Sequence, residues 1–319
     1  MNYDIFNGDA DGIIALLQWR FAHPTASTLI TGVKRDIQLL EQVTAKAGDT
    51  LTVLDISMEK NRLGLERALA SGAEVFYADH HQSGQIPQHA SLHAHIDLDA
   101  DTCTALIIDR LLAGRFHHWA ITAAYGDNLI AKANALAEQA GLSPTQQAQL
   151  RELGTLINYN GYGEQIDDLH FHPAHLYQHL SRYASPFDVL ADMNSAFYQL
   201  QSAYQQDMAA AQAIEPLYCC GRVSVTLLPD CAWSRRISGV YGNWLANQEP
   251  NRAHAVLTHN QGDSYTVSLR APLNNKQGAG EICAQFASGG GRAAAAGINV
   301  LDKNQVERLI ELLQAYYDR

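Results

Sequence analysis

The sequence predicts an α/β protein. An N-terminal parallel sheet carries helices on both faces, a helical linker follows, and a smaller C-terminal α/β domain contains a mixed sheet. Three observations lead there. Short apolar runs alternate with amphipathic stretches up to residue 113, the β-α-β-α pattern of a parallel sheet. Three of those runs end in carboxylates or imidazoles, as strands do where they open onto a ligand crevice. Strand-like runs return after residue 216, two of them separated by the turn dipeptide Gly262-Asp263.

The first strand is expected at residues 3–6, followed by a helix at 12–22 with Ile13, Ile14, Leu16, Leu17 and Phe21, stopped before Pro24. A strand at 27–31, a helix at 36–45, a strand at 50–54 and a helix at 60–71 follow. Strands at 74–78 and 93–96 and a helix at 104–113, closed by Gly114, complete the alternation. Helices at 119–124, 128–139 and 146–159 come next, the last started by Ser143-Pro144. Residues 186–213 read as one long amphipathic helix whose stripe of Leu190, Met193, Phe197, Leu200 and Tyr204 is packing surface. The C-terminal part reads as strand 222–228, helix 233–246, strands 253–259 and 264–271, helix 281–287, strand 297–301 and a helix from 304 onward. The domains are therefore expected at 1–185, 186–215 (linker helix) and 216–319.

The chain has 319 residues, 47% hydrophobic and 17% charged, enough for a sizeable core. No apolar run is long enough to span a bilayer, and the opening residues lack a signal-peptide pattern, so a cytoplasmic protein is expected. Five cysteines without a C-x-x-C pair read as reduced thiols. The net charge of −11 argues against a duplex-binding groove. From residue 216 onward ten Lys and Arg face eight Asp and Glu, a balance of +2, which leaves −13 on the remainder. An acidic half suits cations and a mildly basic half suits a small anion.

Asp79, His80 and His81 follow the apolar run Glu74-Val75-Phe76-Tyr77-Ala78. Such residues are costly to bury unless paired or bound to metal. Asn7-Gly8-Asp9-Ala10-Asp11-Gly12 follows the first strand, and Asp55 ends the third. A calcium loop at 7–12 is opposed by Gln18 at the position of the bidentate Glu and by the lack of room for an incoming helix. The three strand ends are instead expected to meet at one metal site. His170, His172, His175 and His179 form a histidine run interrupted by Pro173, with no acid or cysteine to complete a zinc pattern. Asp97, Asp99 and Asp101 read as a polar turn that caps the helix at 104.

The combination resembles the DHH phosphoesterase family. Asp9/Asp11 match its first motif, Asp55 its second, Asp79-His80-His81 its third, and Ala124-Tyr125-Gly126-Asp127 sits where the fourth belongs. Gly289-Gly290-Gly291-Arg292-Ala293-Ala294-Ala295-Ala296-Gly297 resembles the G-G-G-H-x-x-A-A-G signature of the associated C-terminal domain. Any one motif is weak; five in order are specific. The resemblance implies two divalent cations, manganese by precedent with magnesium as the alternative. Asp55 would bridge them, Asp9 would bind one, and Asp11, His80 and Asp127 the other. His81 would face the scissile phosphate, with Asp79 orienting a histidine. Carboxylates with one imidazole suit Mn²⁺ or Mg²⁺. Arg270, Gly289, Gly290, Gly291 and Arg292 would hold substrate phosphate. Two departures stand out: Asn7 is where relatives carry an acid or, nearby, a histidine, and Arg292 is where the signature has His.

The expected activity is metal-dependent hydrolysis of short oligoribonucleotides or linear dinucleotides, for example pGpG, to 5′-mononucleotides. The expected partners are thus a short RNA or dinucleotide, with no duplex DNA and no membrane, and a homodimer stays open. The rival readings are a pAp phosphatase, a cyclic-dinucleotide phosphodiesterase, a RecJ-like single-strand exonuclease, an inorganic pyrophosphatase and a non-catalytic nucleotide sensor with a degraded metal site.

Overall fold

A computed structural model describes residues 1–260 and 262–318, which divide into two compact units, Met1–Ser202 and Ala203–Arg319. The first begins with β1 (Asn2–Phe6), α1 (Ala10–Ala22), β2 (Thr28–Ile30), β3 (Thr50–Leu54), α2 (Arg62–Ala70), β4 (Glu74–Asp79) and β5 (Leu92–Ile96). It continues through α3 (Thr104–Leu111), α4 (His117–Gly126), α5 (Ile130–Gln139), α6 (Pro144–Gly161), α7 (Pro173–Leu180) and α8 (Pro186–Ala191) into α9 (Ala196–Gln212). Its five strands are all parallel, in the order β2-β1-β3-β4-β5. The order reverses between β1 and β3, and the crevice beyond such a reversal is where open α/β sheets bind ligands.

Alternation along the strands decides the two faces. Ile5, Leu51, Val53, Val75 and Tyr77 pack with Leu65 and Leu69 of α2. On the other face Arg20 of α1 bonds to Asp4, at 2.9 Å through Nε, and donates to Thr52 Oγ1 at 3.0 Å, while Trp19 stacks on Phe76 with ring centroids 4.0 Å apart. α1 is buried all round from Ala10 to Gln18, because α3, α4 and α6 also pack on it.

The second unit contains β6 (Tyr218–Cys220), β7 (Val223–Leu227), α10 (Ala232–Gln248), β8 (Ala253–His259), β9 (Ser264–Arg270), α11 (Ala279–Cys283), β10 (Gly289–Gly291), β11 (Ala295–Asp302) and α12 (Val306–Tyr317). Its sheet order is β10-β11-β9-β8-β7-β6; β7 and β8 pair parallel across the α10 crossover, and the other neighbours are antiparallel. Leu309, Leu313 and Tyr317 of α12 and Ile282 and Cys283 of α11 share one core with Val225, Leu257, Val267, Leu269 and Ile298.

Four expectations need correction. The helix at 36–45 is only a 3₁₀ turn, Leu39–Gln42. Asp36 Oδ2 accepts from Val33 N, and Leu40 N donates to Asn61 Oδ1, so side chains take up backbone groups that a helix would use. The helix at 186–213 is two, because Asp192 Oδ1 accepts from Asn194 N and turns the chain between α8 and α9. Pro173 starts α7 rather than merely interrupting a histidine run, with His172 Nδ1 accepting from Ala174 N at its start. Asp97, Asp99 and Asp101 make Asx turns with one another and do not cap α3.

Candidate metal centre

The site lies beyond β1, β3 and β4, at the sheet's order reversal. Asp9 ends the β1 loop and is the N-cap of α1: its Oδ1 accepts from Asp11 N at 3.0 Å and Gly12 N at 3.1 Å. Asp11, one residue inside the helix, turns its carboxylate to the start of α3, accepting from Thr104 N and Ala105 N at 2.7 Å each. Asp55 follows β3 in a left-handed conformation (φ 59°), tolerated by Asp but strained, which turns its carboxylate into the site. Its Oδ1 accepts from Thr104 Oγ1 at 3.1 Å. Asp127 follows α4. A Cβ on the preceding Gly126 would lie 2.5 Å from Ala10 Cβ, so only glycine lets α4 come this close to α1.

His80 is the centre of this group. Its side chain is 6% exposed, and Nε2 stands 3.5 Å from Asp55 Oδ1, 3.7 Å from Asp11 Oδ2 and 3.9 Å from Asp127 Oδ2. These separations are too long for good hydrogen bonds. They approach the roughly 3.0–3.5 Å between neighbouring ligand atoms around a cation bound at about 2.1 Å. Asp55, His80 and His81 also place ligand atoms within 4.8 Å of one another. His81 is 44% exposed, and its Nδ1 lies 2.7 Å from Asp79 Oδ1. The buried Asp79 therefore orients His81.

The charges are unevenly balanced. Burial, then repulsion from Asp11, Asp9, Asp79 and Asp127, pushes Asp55 well above the usual carboxylate range. Burial likewise raises Asp127 to about 6 despite the pull of Lys34. Burial acts on Asp9 too, but the Lys34 ammonium, the Gly12 N–H and Asp55 together outweigh it and hold Asp9 at about 2. Oxygen donors with one imidazole, crowded and short of positive charge, fit a hard divalent cation held by Asp11, Asp55, His80 and Asp127. Asp9 differs: its Oδ2 accepts from Lys34 Nζ at 2.6 Å.

Sequence reasoning missed three participants. Lys34 follows β2, a fourth strand end on the same edge, in the loop between the expected strand at 27–31 and the expected helix at 36–45. Asn158 of α6 accepts from Lys34 Nζ at 3.0 Å. Thr104 looks in sequence like a residue capped by its near neighbours, whereas it serves Asp11 and Asp55. Of the histidine run, His170 bonds Tyr159, and His172 Nδ1 accepts from Ala174 N at the start of α7.

Residues 222–318 match the DHHA1 domain family. That match concerns the C-terminal part of the chain, and the comparison with solved structures bears on the fold. Solved structures share that fold along the whole chain. RecJ from Thermus thermophilus in complex with Mn²⁺ aligns with a TM-score of 0.58 at 18% identity, covering 100% of this chain and 52% of RecJ. The chain thus spans about half the length of that relative. An exonuclease RecJ bound to manganese aligns at 0.54 and 18% identity, over 100% and 90% of the two chains. The pGpG-specific phosphodiesterase PggH from Vibrio cholerae aligns at 0.53 and 14% identity, over 100% and 99%. No curated protein matches by sequence.

In the DHHA1 domain the glycine run is a strand, paired antiparallel with β11. A Cβ on Gly289 would collide with the Cys283 carbonyl oxygen, and one on Gly291, at φ 140°, would lie 2.5 Å from Ala296 Cα. Close packing thus demands two of the three glycines, and the space beside Gly290 is open. Arg270 is held in place: Nε donates to Asn243 Oδ1 at 2.6 Å, and Nη1 to Ser268 Oγ and Leu269 O at 3.1 Å each. Arg292 is exposed. Among the described residues no helix is long and apolar enough to cross a membrane.

Proposed function

We propose that the chain is a metal-dependent phosphodiesterase that hydrolyses short oligoribonucleotides or linear dinucleotides such as pGpG to 5′-mononucleotides. One observation carries the reading: His80 Nε2 faces Asp11, Asp55 and Asp127 at 3.5–3.9 Å in a pocket crowded with carboxylates. A divalent cation held there, manganese by analogy with the RecJ structures, supplies Lewis-acid stabilisation of charge at phosphoryl oxygens. Asp79 engages His81 Nδ1, which leaves Nε2 to donate a proton to the departing 3′-oxygen. Thr104 and Ala105 hold Asp11 in place through their backbone N–H groups. In the DHHA1 domain, Arg270, Arg292 and the open position at Gly290 are assigned to substrate phosphate.

Two observations support a short substrate. The chain is acidic, which disfavours a long polyanion. Its fold also aligns with that of the pGpG-specific phosphodiesterase PggH over 99% of that chain. The test is a Mn²⁺-supplemented digest of pGpG, other diribonucleotides, RNA and DNA of two to twenty nucleotides, pAp, cyclic dinucleotides and pyrophosphate. Hydrolysis strongest on dimers and falling with length is expected. Preference for long single strands, pAp or pyrophosphate would replace the reading with the corresponding rival.

A further inference from the structure

Lys34 is built into the centre. Its backbone N–H donates to Gly161 O at 2.8 Å, and its carbonyl accepts from Asn7 Nδ2 at 3.2 Å. Its ammonium bonds Asp9 Oδ2 at 2.6 Å and Asn158 Oδ1 at 3.0 Å, with the side chain 30% exposed. The other Asp9 oxygen is engaged by two backbone N–H groups. Asn7 is committed to the same arrangement: Nδ2 supports Lys34, and Oδ1 accepts from Asp9 N at 3.2 Å.

We propose that the Lys34 ammonium takes the place of a second cation, so that the centre holds one divalent ion, on the side of Asp11, Asp55, His80 and Asp127. This rests on the metal-dependent reading above. A divalent ion on Asp9 Oδ2 would sit about 2.1 Å from that oxygen and would have to displace an ammonium already in contact with it. The ammonium brings one positive charge where a metal ion would bring two, and being covalently tethered it cannot dissociate. Asn7 adds no charge and steadies the lysine. Asp9 is then a positioning residue for Lys34 and for the start of α1, and not a ligand.

The test is to count Mn²⁺ per chain by calorimetry and by elemental analysis after desalting, with electron paramagnetic resonance of the loaded protein. One ion per chain and an uncoupled, mononuclear Mn²⁺ spectrum are expected. Lys34→Ala, checked for folding by circular dichroism, is expected to raise the count to two and give a spin-coupled pair; Lys34→Arg is expected to keep it at one. Two ions in the unaltered protein, or a count that stays at one in Lys34→Ala, would overturn the proposal. If Lys34→Ala fails to fold, the unaltered protein still decides, because a count of two there is sufficient refutation. One bound ion without hydrolysis of any phosphodiester would instead remove the phosphodiesterase reading and leave this one intact.

Discussion

Asp11 reaches Thr104 across 93 residues of sequence, its carboxylate accepting Thr104 N–H and Ala105 N–H at 2.7 Å each. A single side chain therefore both closes the start of α3 and faces His80. The cap fixes where the carboxylate points, and α3 is anchored to the site in return.

Asp11→Ala is expected to lower the stability of the metal-free protein by about 1 kcal/mol, the usual worth of a helix cap, and to weaken Mn²⁺ binding. Asp127→Ala should weaken the ion without that loss. Urea unfolding in chelator, alongside Mn²⁺ titration, separates the two effects. Equal unfolding midpoints for the two variants would deny Asp11 its capping role.

Asp55→Asn removes a buried carboxyl whose ionisation burial and four neighbouring carboxylates oppose, while Asn still tolerates φ 59°. The metal-free variant is expected to melt higher than the unaltered protein, with hydrolysis reduced at least about a hundredfold, since a catalytic cation is worth several kcal/mol. Asp55→Ala should lose turnover equally while gaining less stability, because alanine is strained at that φ. Calorimetric melting in chelator and steady-state rates provide the check; a lower melting point for Asp55→Asn would contradict the charge argument.

Gly289→Ala and Gly291→Ala are expected to destabilise the DHHA1 domain, since each added Cβ meets backbone or packed atoms inside 3 Å. Gly290→Ala meets nothing and should leave the melting temperature unchanged. Thermal melts of the three variants test this. A large drop for Gly290→Ala would mean that its open space is filled in the folded protein.

Arg292→Ala should raise KM several-fold with kcat unchanged, as expected for loss of a charge-assisted phosphate contact by an exposed residue. Dinucleotide kinetics measure this directly. An unaltered KM would take Arg292 out of substrate binding.

His254 in β8 is buried, and among the described residues neither ring nitrogen has a hydrogen-bond partner, with Glu249 Oε2 standing 3.9 Å from Nε2. Burial lowers its pKa, although Glu249 pulls the other way. The unfolded chain then binds the proton more readily than the folded one, so stability rises with pH and is complete above the unfolded pKa of about 6.5. As pH falls below that value, stability is lost. Melts between pH 8 and 5 should show the second unit weakening on acidification, and His254→Leu should flatten that slope. A slope unchanged in the variant would assign the acid sensitivity elsewhere.

Much of the site was legible because its residues sit at strand ends, where hydrophobic alternation stops and chemistry begins. Asp9, Asp11, Asp55 and the Asp79-His80-His81 run all follow apolar strands that periodicity exposes. Lys34 was not legible, because it is a lone lysine in a loop and its partners Asp9 and Asn158 lie 25 and 124 residues away in sequence. The glycine run read as an anion cradle, since glycine signals backbone freedom without saying what uses it. Here Cys283 and Ala296 use two of the three positions for packing.

The amino-acid sequence alone determined the α/β alternation, the acidic and basic halves and the donor atoms, because these depend on residues close together along the chain. The tertiary structure decided the strand order β2-β1-β3-β4-β5, the capping of α3 by Asp11, and the ammonium of Lys34 on Asp9. Each of these depends on which distant segments pack side by side, and that is set by burying the whole core at once.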